Sequence, residues 1–378
     1  MYIALHKHAE YLINKLNSAG FEAYAVGGCV RDSIMGVSCG DTDITTNALP
    51  EQTKSVFEHN VVLETGIKHG TVTVLVENIP YEITTYRIES GYTDSRHPDK
   101  IEFVRNLKED LARRDFTMNA IAYSHKEGIK DYFGGAEDIN NKIIRAVGDP
   151  EKRFSEDSLR ILRALRFASV LGFEIEHNTS NAIIKLAETV IKVSPERIYT
   201  ELKKLLCGKN AQSVVNNYVS VISKIINTNG DYKSINKLPA DFAMRLSCLC
   251  GSSVGEALRF LRADNKTKQL CNLLINSKPI PKDEIALKLY ISAIGREASL
   301  SVAVYRRALF GEDSEYKTEK LIASNTPLFL SDLAIDGSDL VKLGISGKCV
   351  GETLLRLLNL VIKGEIVNER STLINNAK

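Results

Sequence analysis

Residues 26–43 read VGGCVRDSIMGVSCGDTD, a stretch that places two adjacent glycines between a strand-like segment and a helical one. The pattern over 22–26 favours a strand, and the pattern over 30–35 favours a helix just after Gly27-Gly28. Glycines let backbone N–H groups approach a phosphate closely, at a helix N-terminus that favours negative charge. Arg31 would add a charge-assisted hydrogen bond to the same phosphate. The turn is therefore a candidate phosphate-binding site.

Two carboxylates, Asp41 and Asp43, follow this turn with one residue between them. Residues i and i+2 of a strand point to one face, so the two side chains would lie side by side. Together with substrate phosphates they supply the hard oxygen ligands that Mg²⁺ prefers. Glu82 lies in a later segment that is able to pair beside this strand, and is the candidate third carboxylate. We predict catalytic roles for all three residues and metal binding for Asp41 and Asp43.

Each of these signals has an ordinary explanation when it stands alone. A Gly-Gly pair is more often a simple tight turn, and an isolated Asp-x-Asp is common on solvated loops. Their order and spacing in one stretch favour a metal-bound triphosphate instead. The chemistry indicated is nucleotidyl transfer, in which one metal ion activates a hydroxyl and another stabilises the leaving pyrophosphate.

A second motif, LARRDFTMNA, occupies residues 111–120. Arg113 and Arg114 beside Asp115 are explained equally well by a surface ion pair. Their place between a polar segment and the apolar run 120–123 favours Arg114 as a contact to a phosphate or a sugar.

A third motif covers residues 154–168 and reads FSEDSLRILRALRFA. It predicts a helix over 156–171 that is capped by Ser155 and presents Asp157 and Arg160 from one face. The usual explanation of that spacing is an ion pair worth about a few tenths of a kcal/mol. Arg163 and Arg166 continue the register, which is more charge than solubility requires, so we favour a nucleotide-base contact.

The chemistry of Asp157 and Arg160 also predicts which bases are accepted. Cytosine and adenine both offer an amino donor beside a ring-nitrogen acceptor, whereas guanine and uracil present the opposite pattern. A carboxylate would accept from the amine while a guanidinium donates to the ring nitrogen. The pocket is expected to take CTP and ATP and to refuse GTP and UTP.

The rest of the chain indicates how these motifs are arranged. At 378 residues two or more domains are expected. Strand and helix patterns mix up to about residue 140, the polar segment 87–100 is predicted to be a mobile loop, and helical spacing dominates afterwards. The fold class predicted is α+β.

Composition excludes several other classes of protein. No apolar run of about 18 residues suggests a membrane span, and the N-terminus does not resemble a secretory signal, so we expect a cytoplasmic protein without membrane contact. The seven cysteines are scattered without metal-binding spacing, and we predict reduced thiols. A net charge of +2 gives no global signal for nucleic acid.

Taken in order, the motifs resemble the bacterial class II tRNA nucleotidyltransferases, the family of CCA-adding enzymes and poly(A) polymerases. The resemblance rests on Gly27-Gly28-x-Val30-Arg31-Asp32, Asp41-x-Asp43, Arg113-Arg114-Asp115-Phe116-Thr117-x-Asn119-Ala120 and Glu156-Asp157-x-x-Arg160-x-x-Arg163-Ala164-x-Arg166-Phe167. Residues 332–352 resemble the C-terminal helical region of the family more loosely. Nucleotide-binding positions of the family are matched by Gly28, Arg31, Arg114, Asp157, Arg160, Arg163 and Arg166, and its metal ligands by Asp41 and Asp43.

The resemblance implies a polymerase-β-like nucleotidyltransferase head with a small mixed sheet, over residues 1–140. It further implies an all-α neck that recognises the base (141–206), a body (207–325) and a tail (326–378) that binds tRNA. The implied reaction is template-independent addition of CCA to the 3′ end of tRNA with Mg²⁺. The implied partner is the acceptor arm of tRNA, and no obligate protein partner is expected.

Several functions within and beyond this family remain open at this point. The segment 87–100 has the length of the complete enzyme, and it includes Tyr92, Arg96, His97 and Pro98, which favours addition of all three nucleotides. A poly(A) polymerase, an A-adding or CC-adding specialist, and a catalytically silent RNA-binding protein are the alternatives. Candidate contacts to tRNA phosphates are Lys203, Lys204, Arg259, Arg262, Lys266 and Lys268.

Overall fold

The computed structural model describes residues 3–91 and 100–377. The chain forms two compact units, residues 1–226 and 227–378. The first unit holds the sheet together with helices, whereas the described part of the second is helical and carries no strand. The predicted α+β class is confirmed, and the boundaries predicted at residues 140, 206 and 325 stay predictions.

The strands of the first unit are β1 Ala23–Val26, β2 Asp43–Thr46, β3 Val61–Leu63, β4 Thr71–Val76, β5 Ile79–Thr85, β6 Arg87–Ser90, β7 Lys100–Phe103, β8 Ile121–Ser124, β9 Gly128–Asp131, β10 Ile143–Ile144 and β11 Glu174–Ile175. Its helices are α1 Lys7–Ser18, α2 Gly28–Ile34, α3 Pro50–Val56, α4 Leu107–Ala112, α5 Gly135–Asn140, α6 Pro150–Glu156, α7 Leu159–Leu171, α8 His177–Lys185, α9 Pro195–Leu206 and α10 Ala211–Ile222.

The main sheet of the described residues has the strand order β3-β4-β5-β2-β1-β8-β9. It is mixed, because β2 runs parallel to β5 while the β1–β2 and β1–β8 pairs are antiparallel. The buried side chains of β1 and β8 pack with Tyr86, Leu107 and Leu111 into a core on the same unit. This core supports β1, which pairs with β2. Asp43 is the first residue of β2, and Glu82 lies within β5, the other neighbour of β2.

The segment 87–100 is only partly what its composition predicts. Residues 87–90 pair with residues 100–103 as the antiparallel ribbon β6–β7, in the register Arg87↔Phe103, so the prediction of a loop is wrong for the two ends. The reason is cross-strand hydrogen bonding, which can order a polar segment that has no apolar period. Tyr92, Arg96, His97 and Pro98 lie outside the described residues.

The helical part of the first unit follows the sheet. Helix α7 packs extensively against α9, whose buried face is formed by Ile198, Leu202, Leu205 and Leu206. That face has the spacing of an amphipathic helix, and Pro195 at its first turn sets where the helix begins. The α7–α9 pair carries the cationic side chains of the third motif.

The second unit contains α11 Phe242–Cys250, α12 Val254–Phe260, α13 Asn265–Ile275, α14 Glu284–Ile294, α15 Arg296–Phe310, α16 Glu315–Ala323, α17 Gly337–Lys342, α18 Lys348–Lys363 and α19 Arg370–Ala377. Leu340, Leu357, Leu358 and Leu373 are the most deeply buried members of one of its cores. Within residues 3–91 and 100–377, no helix combines the length and the hydropathy needed to cross a membrane.

Candidate active site

The glycine turn joins β1 to α2 and needs a glycine at its first position. Gly27 has φ 79° and ψ −131°, a conformation that side chains rarely allow, and it forms the N-cap of α2. A Cβ atom on Gly27 would lie 3.3 Å from Nη1 of Arg114. Gly28 is the first residue of the helix. The missing side chain of Gly27 therefore lets the guanidinium group of Arg114 approach the turn closely.

The three candidate carboxylates lie on neighbouring strands. Asp43 opens β2 and pairs with Val26, the last residue before the glycine turn. The parallel register Ile44↔Ile83 places Glu82 of β5 beside Asp43, as the sequence suggested. Asp41 precedes β2 by two residues and, like Asp43 and Glu82, is exposed. The sheet thus brings together the three acidic residues that we predicted to be catalytic.

Electrostatics at Asp43 show how close these groups are. Protein atoms around the carboxyl group raise its pKa by desolvation although the residue keeps contact with solvent, and Glu82 and Asp41 raise it further, while Arg114 lowers it. Clustered negative charge of this kind is relieved by a cation. The donor set is all oxygen, which fits a hard divalent ion.

No group of three or more His, Cys, Asp and Glu side chains in the described part of the chain is arranged to hold a metal by itself. An ion at Asp41 and Asp43 would therefore need further ligands from a bound triphosphate or from water, which is the normal situation for Mg²⁺. The residues fit such a shared site, and their roles stay predictions.

Arg114 is placed to face an anion. Its Nε atom is buried and has no hydrogen-bond partner among the described residues. Nη2 lies 3.6 Å from Oδ2 of Asp110, a fully buried carboxylate. Desolvation lowers the pKa of Arg114, opposed chiefly by Asp110. A buried donor without a partner is costly, and an incoming phosphate oxygen would satisfy it.

Arg31 is held firmly before any ligand binds. Its Nε donates to Oδ1 of Asp32 at 2.8 Å, and its Nη1 donates to Oδ1 of Asn119 at 2.9 Å. The guanidinium carbon lies 5.1 Å from the centre of the Phe167 ring. These contacts with α2, the second motif and α7 fix the orientation of Arg31, so the side chain loses little further conformational entropy when a ligand binds.

The helix predicted over 156–171 is in fact interrupted. Helix α6 ends at Glu156, Asp157 is extended with φ −142° and ψ 104°, and α7 begins at Leu159. Asp157 and Arg160 therefore do not project from one helical face. Ser155 is not a cap, since it lies inside α6 and donates to the carbonyl oxygen of Glu151. The carboxylate of Asp157 instead accepts from the N–H of Leu159, which ends the break and starts α7.

The two residues predicted to read the base have separate partners. Arg197 of α9 donates to both oxygens of Asp157, at 3.3 and 2.7 Å. Arg160 donates to Oε2 of Glu156 at 2.9 Å and to the carbonyl oxygens of Arg153 and Arg113. Asp157 and Arg160 therefore do not form an ion pair with each other. Each is oriented by a third group, and carboxylate lone pairs of Asp157 remain for a ligand.

Arg163 and Arg166 lie on the face of α7 that meets α9. Nε of Arg163 donates to Oδ2 of Asp115 at 2.7 Å, and Nε of Arg166 lies 2.8 Å from Oε2 of Glu201. Both guanidinium groups lie near the Phe167 ring, 5.5 and 3.9 Å from its centre. With Arg31, three guanidinium groups lie close to the ring of Phe167.

Sequence reasoning missed the residues that orient the predicted ones. These are Asp110, Asn119, Phe167, Arg197 and Glu201. Asn119 and Phe167 lie in the motifs, but the partners of Arg31 could not be read from them. Arg197 and Glu201 are four residues apart on one face of α9, a spacing that was visible yet looks like an ordinary helical ion pair.

The fold and the site together are those of a nucleotidyltransferase. Residues 23–145 match the family model described as the Poly A polymerase head domain, and residues 172–219 match the model described as the probable RNA and SrmB-binding site of polymerase A.

Relatives match the chain over nearly its whole length. The CCA-adding enzyme of Ligilactobacillus salivarius is 38% identical over 98% of this chain and 96% of its own, and that of Enterococcus faecalis is 36% identical over 98% and 95%. The crystal structure of the Bacillus stearothermophilus CCA-adding enzyme in complex with CTP is 34% identical, with a TM-score of 0.80, over 98% of this chain and 95% of that one. The chain belongs to the family of CCA-adding enzymes.

Proposed function

We propose that this enzyme adds C, C and A in turn to the 3′ end of tRNA, without a template, from CTP and ATP. The observation that carries the proposal is the meeting of three carboxylates, the glycine turn and Arg114 where β1 ends, β2 begins and β5 passes beside β2. Relatives that match the chain end to end are CCA-adding enzymes, and one of them was crystallised with CTP.

The chemistry is displacement at the α-phosphate. The 3′-hydroxyl oxygen of tRNA forms a new bond to phosphorus, the bond to pyrophosphate breaks, and the hydroxyl proton passes to water. Arg31, Arg114 and the N-terminus of α2 neutralise and orient the triphosphate. Asp41 and Asp43 would hold Mg²⁺, and the bound ion would supply positive charge that favours loss of the hydroxyl proton and stabilises the leaving pyrophosphate. Glu82 adds negative charge beside Asp43 and so strengthens the attraction for the cation.

Base selection belongs to Asp157 and Arg160. Asp157 accepts from the amino group of cytosine or adenine, and Arg160 donates to the neighbouring ring nitrogen. Arg197 and Glu156 hold the two side chains in place before the nucleotide arrives. Uracil and guanine would place an acceptor against the Asp157 carboxylate and a donor against the Arg160 guanidinium group. Such mismatched hydrogen bonding makes a site reject these bases strongly.

The setting of the reaction follows from its substrate. We place the enzyme in the cytoplasm, where immature tRNA and both nucleotides are available. The acceptor arm of tRNA is the macromolecular partner. A poly(A) polymerase is not favoured, because the relatives that cover the whole chain are CCA-adding enzymes.

Extension of three tRNA transcripts tests the proposal. They end before CCA, after C and after CC, and each receives CTP, ATP, UTP or GTP alone and then CTP with ATP. Addition of C, C and A with a stop at that length is expected. Addition of A only, of C only, or of long A tails would each replace the proposal with the corresponding specialist. No incorporation with Mg²⁺ present would indicate a silent RNA-binding protein.

A further inference from the structure

A carboxylate that is completely shielded from solvent, Asp110 of α4, lies next to Arg114. Burial alone would raise the pKa of Asp110, but Arg113 and Arg114 outweigh that effect and lower the pKa, so the group stays ionised. A buried charge is costly unless other groups compensate it. The side chains around Asp110 are therefore required to keep this carboxylate in place.

The two oxygen atoms of Asp110 contact different parts of the first unit. Oδ1 accepts from Nε of Arg113 at 2.9 Å and from the backbone N–H of Arg87 at 3.3 Å. Oδ2 accepts from Oγ1 of Thr45 at 3.1 Å and lies 3.6 Å from Nη2 of Arg114. Arg87 is the first residue of β6, whereas Thr45 lies in β2. One carboxylate thus connects the β6–β7 ribbon to β2 and to Arg114.

Glu89 extends this cluster along the ribbon. Its Oε1 accepts from Nε of Arg87 at 2.8 Å and from Nη1 of Arg113 at 3.1 Å. All three side chains are largely shielded from solvent. Together with Asp110 and Arg114, they carry three positive charges and two negative ones. The cluster of five side chains therefore has one positive charge in excess.

The excess charge is assigned to Arg114 by the contacts. Arg87 and Arg113 donate hydrogen bonds to the carboxylates of the cluster, whereas Arg114 makes the longer contact of 3.6 Å. The buried Nε of Arg114 has no hydrogen-bond partner among residues 3–91 and 100–377. Nη1 of the same side chain lies against the turn at Gly27. An anion at the glycine turn would therefore complete the cluster.

We infer that Asp110 is a positioning residue that holds Arg114 against the triphosphate of the nucleotide and links it to the β6–β7 ribbon. The inference rests on the proposed binding of CTP and ATP. Because both nucleotides carry the same triphosphate, a change at Asp110 should weaken the binding of both equally. Because Asp110 acts through Arg114, its effect should disappear once Arg114 is replaced. A carboxylate needed only for folding would show neither pattern.

Calorimetric titration of the full chain with CTP, ATP and inorganic triphosphate, each with Mg²⁺, tests the inference without requiring turnover. Asp110→Asn keeps the shape of the side chain but removes its charge, so Arg113 and Arg114 lose their shared acceptor. The Kd for all three ligands should rise on the order of tenfold. In an Arg114→Met background, the same substitution should change the Kd by less than about twofold.

Glu89→Gln perturbs the cluster from the ribbon and leaves Asp110 intact. Its Kd for inorganic triphosphate should rise about threefold, and this rise should again disappear in the Arg114→Met background. The same variant decides the inference if Asp110→Asn does not fold.

Asp339→Asn is the matched control, because Asp339 is also a buried carboxylate paired with an arginine, Arg370, but belongs to the second unit. It should lower the melting temperature and leave every Kd unchanged. Additive effects of Asp110→Asn and Arg114→Met, weaker binding of only one nucleotide, or an unchanged Kd in Asp110→Asn or Glu89→Gln would overturn the inference. If the wild type binds triphosphate but adds no nucleotide to tRNA, the proposed function fails, and the Kd values still decide the role of Asp110.

Discussion

At the scale of single residues, the candidate metal site makes the sharpest prediction. Asp43→Ala or Asp41→Ala removes one of two predicted ligands while leaving the sheet intact, because both side chains are exposed. Incorporation into tRNA should fall by at least about a hundredfold. Affinity for tRNA, measured by filter binding without nucleotide, should stay near that of wild type.

The matched control for this substitution is Asp313→Ala, an exposed carboxylate of the second unit. It should leave turnover unchanged. Near-normal incorporation by either of the first two variants would mean that the metal is held elsewhere.

Arg197 is predicted to act through Asp157 rather than on the substrate. Arg197→Met frees the Asp157 carboxylate, so discrimination between CTP and UTP, expressed as the ratio of kcat/KM values, should fall by about tenfold. Arg197→Lys keeps the charge but cannot donate two parallel hydrogen bonds to the carboxylate. Its CTP-to-UTP ratio of kcat/KM values should lie between those of wild type and Arg197→Met. Steady-state incorporation with each nucleotide alone measures the ratio.

Arg307→Met is the control for that ratio, because Arg307 is 58% exposed and forms an ion pair with Glu315 in the second unit. A loss of CTP turnover in Arg197→Met without any change in the CTP-to-UTP ratio would indicate a purely structural role.

At the scale of elements, the turn between β1 and α2 depends on one backbone conformation. Gly27→Ala strains the backbone by about 1–3 kcal/mol and pushes a methyl group against Arg114. Melting temperature should fall, and KM for CTP and ATP should rise on the order of tenfold, as expected when one charge-assisted hydrogen bond is lost.

Gly347 allows the two effects of that substitution to be separated. It is also the N-cap of a helix, with φ 61° and ψ −138°, and no atom lies within 4 Å of a Cβ built on it. Gly347→Ala should therefore lower the melting temperature alone. Equal KM values for the two variants would contradict the idea that the glycine makes room for Arg114.

The segment between α4 and β8 contains a carboxylate, Asp115, whose ionisation links pH to stability. Desolvation raises the pKa of Asp115, but Arg163, Asn119 and Arg160 outweigh it and hold the pKa at about 2, below the ordinary 3.8. A group with a lowered folded pKa stabilises the fold above its unfolded pKa and loses that contribution as the pH falls through the folded one.

The contribution of Asp115 should therefore be present above about pH 4 and vanish toward about pH 2, amounting to about 2 kcal/mol. Urea unfolding of wild type and Asp115→Asn at several pH values measures it. The difference in free energy of unfolding between wild type and Asp115→Asn should decrease by about 2 kcal/mol as the pH falls from about 4 to about 2. A constant difference would show that folding does not lower the pKa of Asp115.

The features of this site that depend on local sequence pattern could be predicted. The glycine turn, the alternation that exposes Asp41 and Asp43 and buries Thr42, and the β-branched strand of Glu82 are all short-range features. The break between α6 and α7 was missed because the helical spacing of residues 159–171 gives no sign that Asp157 is extended. The backbone angles of Asp157 and the hydrogen bond from Leu159 to its carboxylate reveal it.

Partners far apart in sequence could not be predicted either. Arg197 lies forty residues after Asp157, and Asp115 forty-eight before Arg163, so the ion pairs exist only once α7 has packed on α9 and on the second motif. From sequence alone, the arginines of the third motif cannot be told apart, because they have the same helical spacing. Tertiary contacts decide which one meets the base, the phosphate or a neighbouring carboxylate.

At the scale of the whole molecule, the two compact units suggest a division of labour. All the predicted nucleotide-binding residues lie within residues 1–226, whereas residues 227–378 carry none of them. A chain of residues 1–226 should unfold cooperatively on heating and bind CTP as tightly as the full chain. Its affinity for tRNA should weaken by more than about tenfold, equivalent to about 1.4 kcal/mol.

Charge in the second unit gives an independent check that requires no truncation. Lys266→Glu with Lys268→Glu reverses two charges among the candidate phosphate contacts on α13. If that helix meets the RNA backbone, KM for tRNA should rise and the salt dependence of binding should become shallower, while KM for CTP stays constant. Lys348→Glu, an exposed lysine of α18, is the matched control. Two results together would contradict this prediction: residues 1–226 alone bind tRNA as tightly as the full chain, and the charge reversal leaves KM for tRNA unchanged. The residues that bind tRNA would then lie in the same unit as the nucleotide-binding residues.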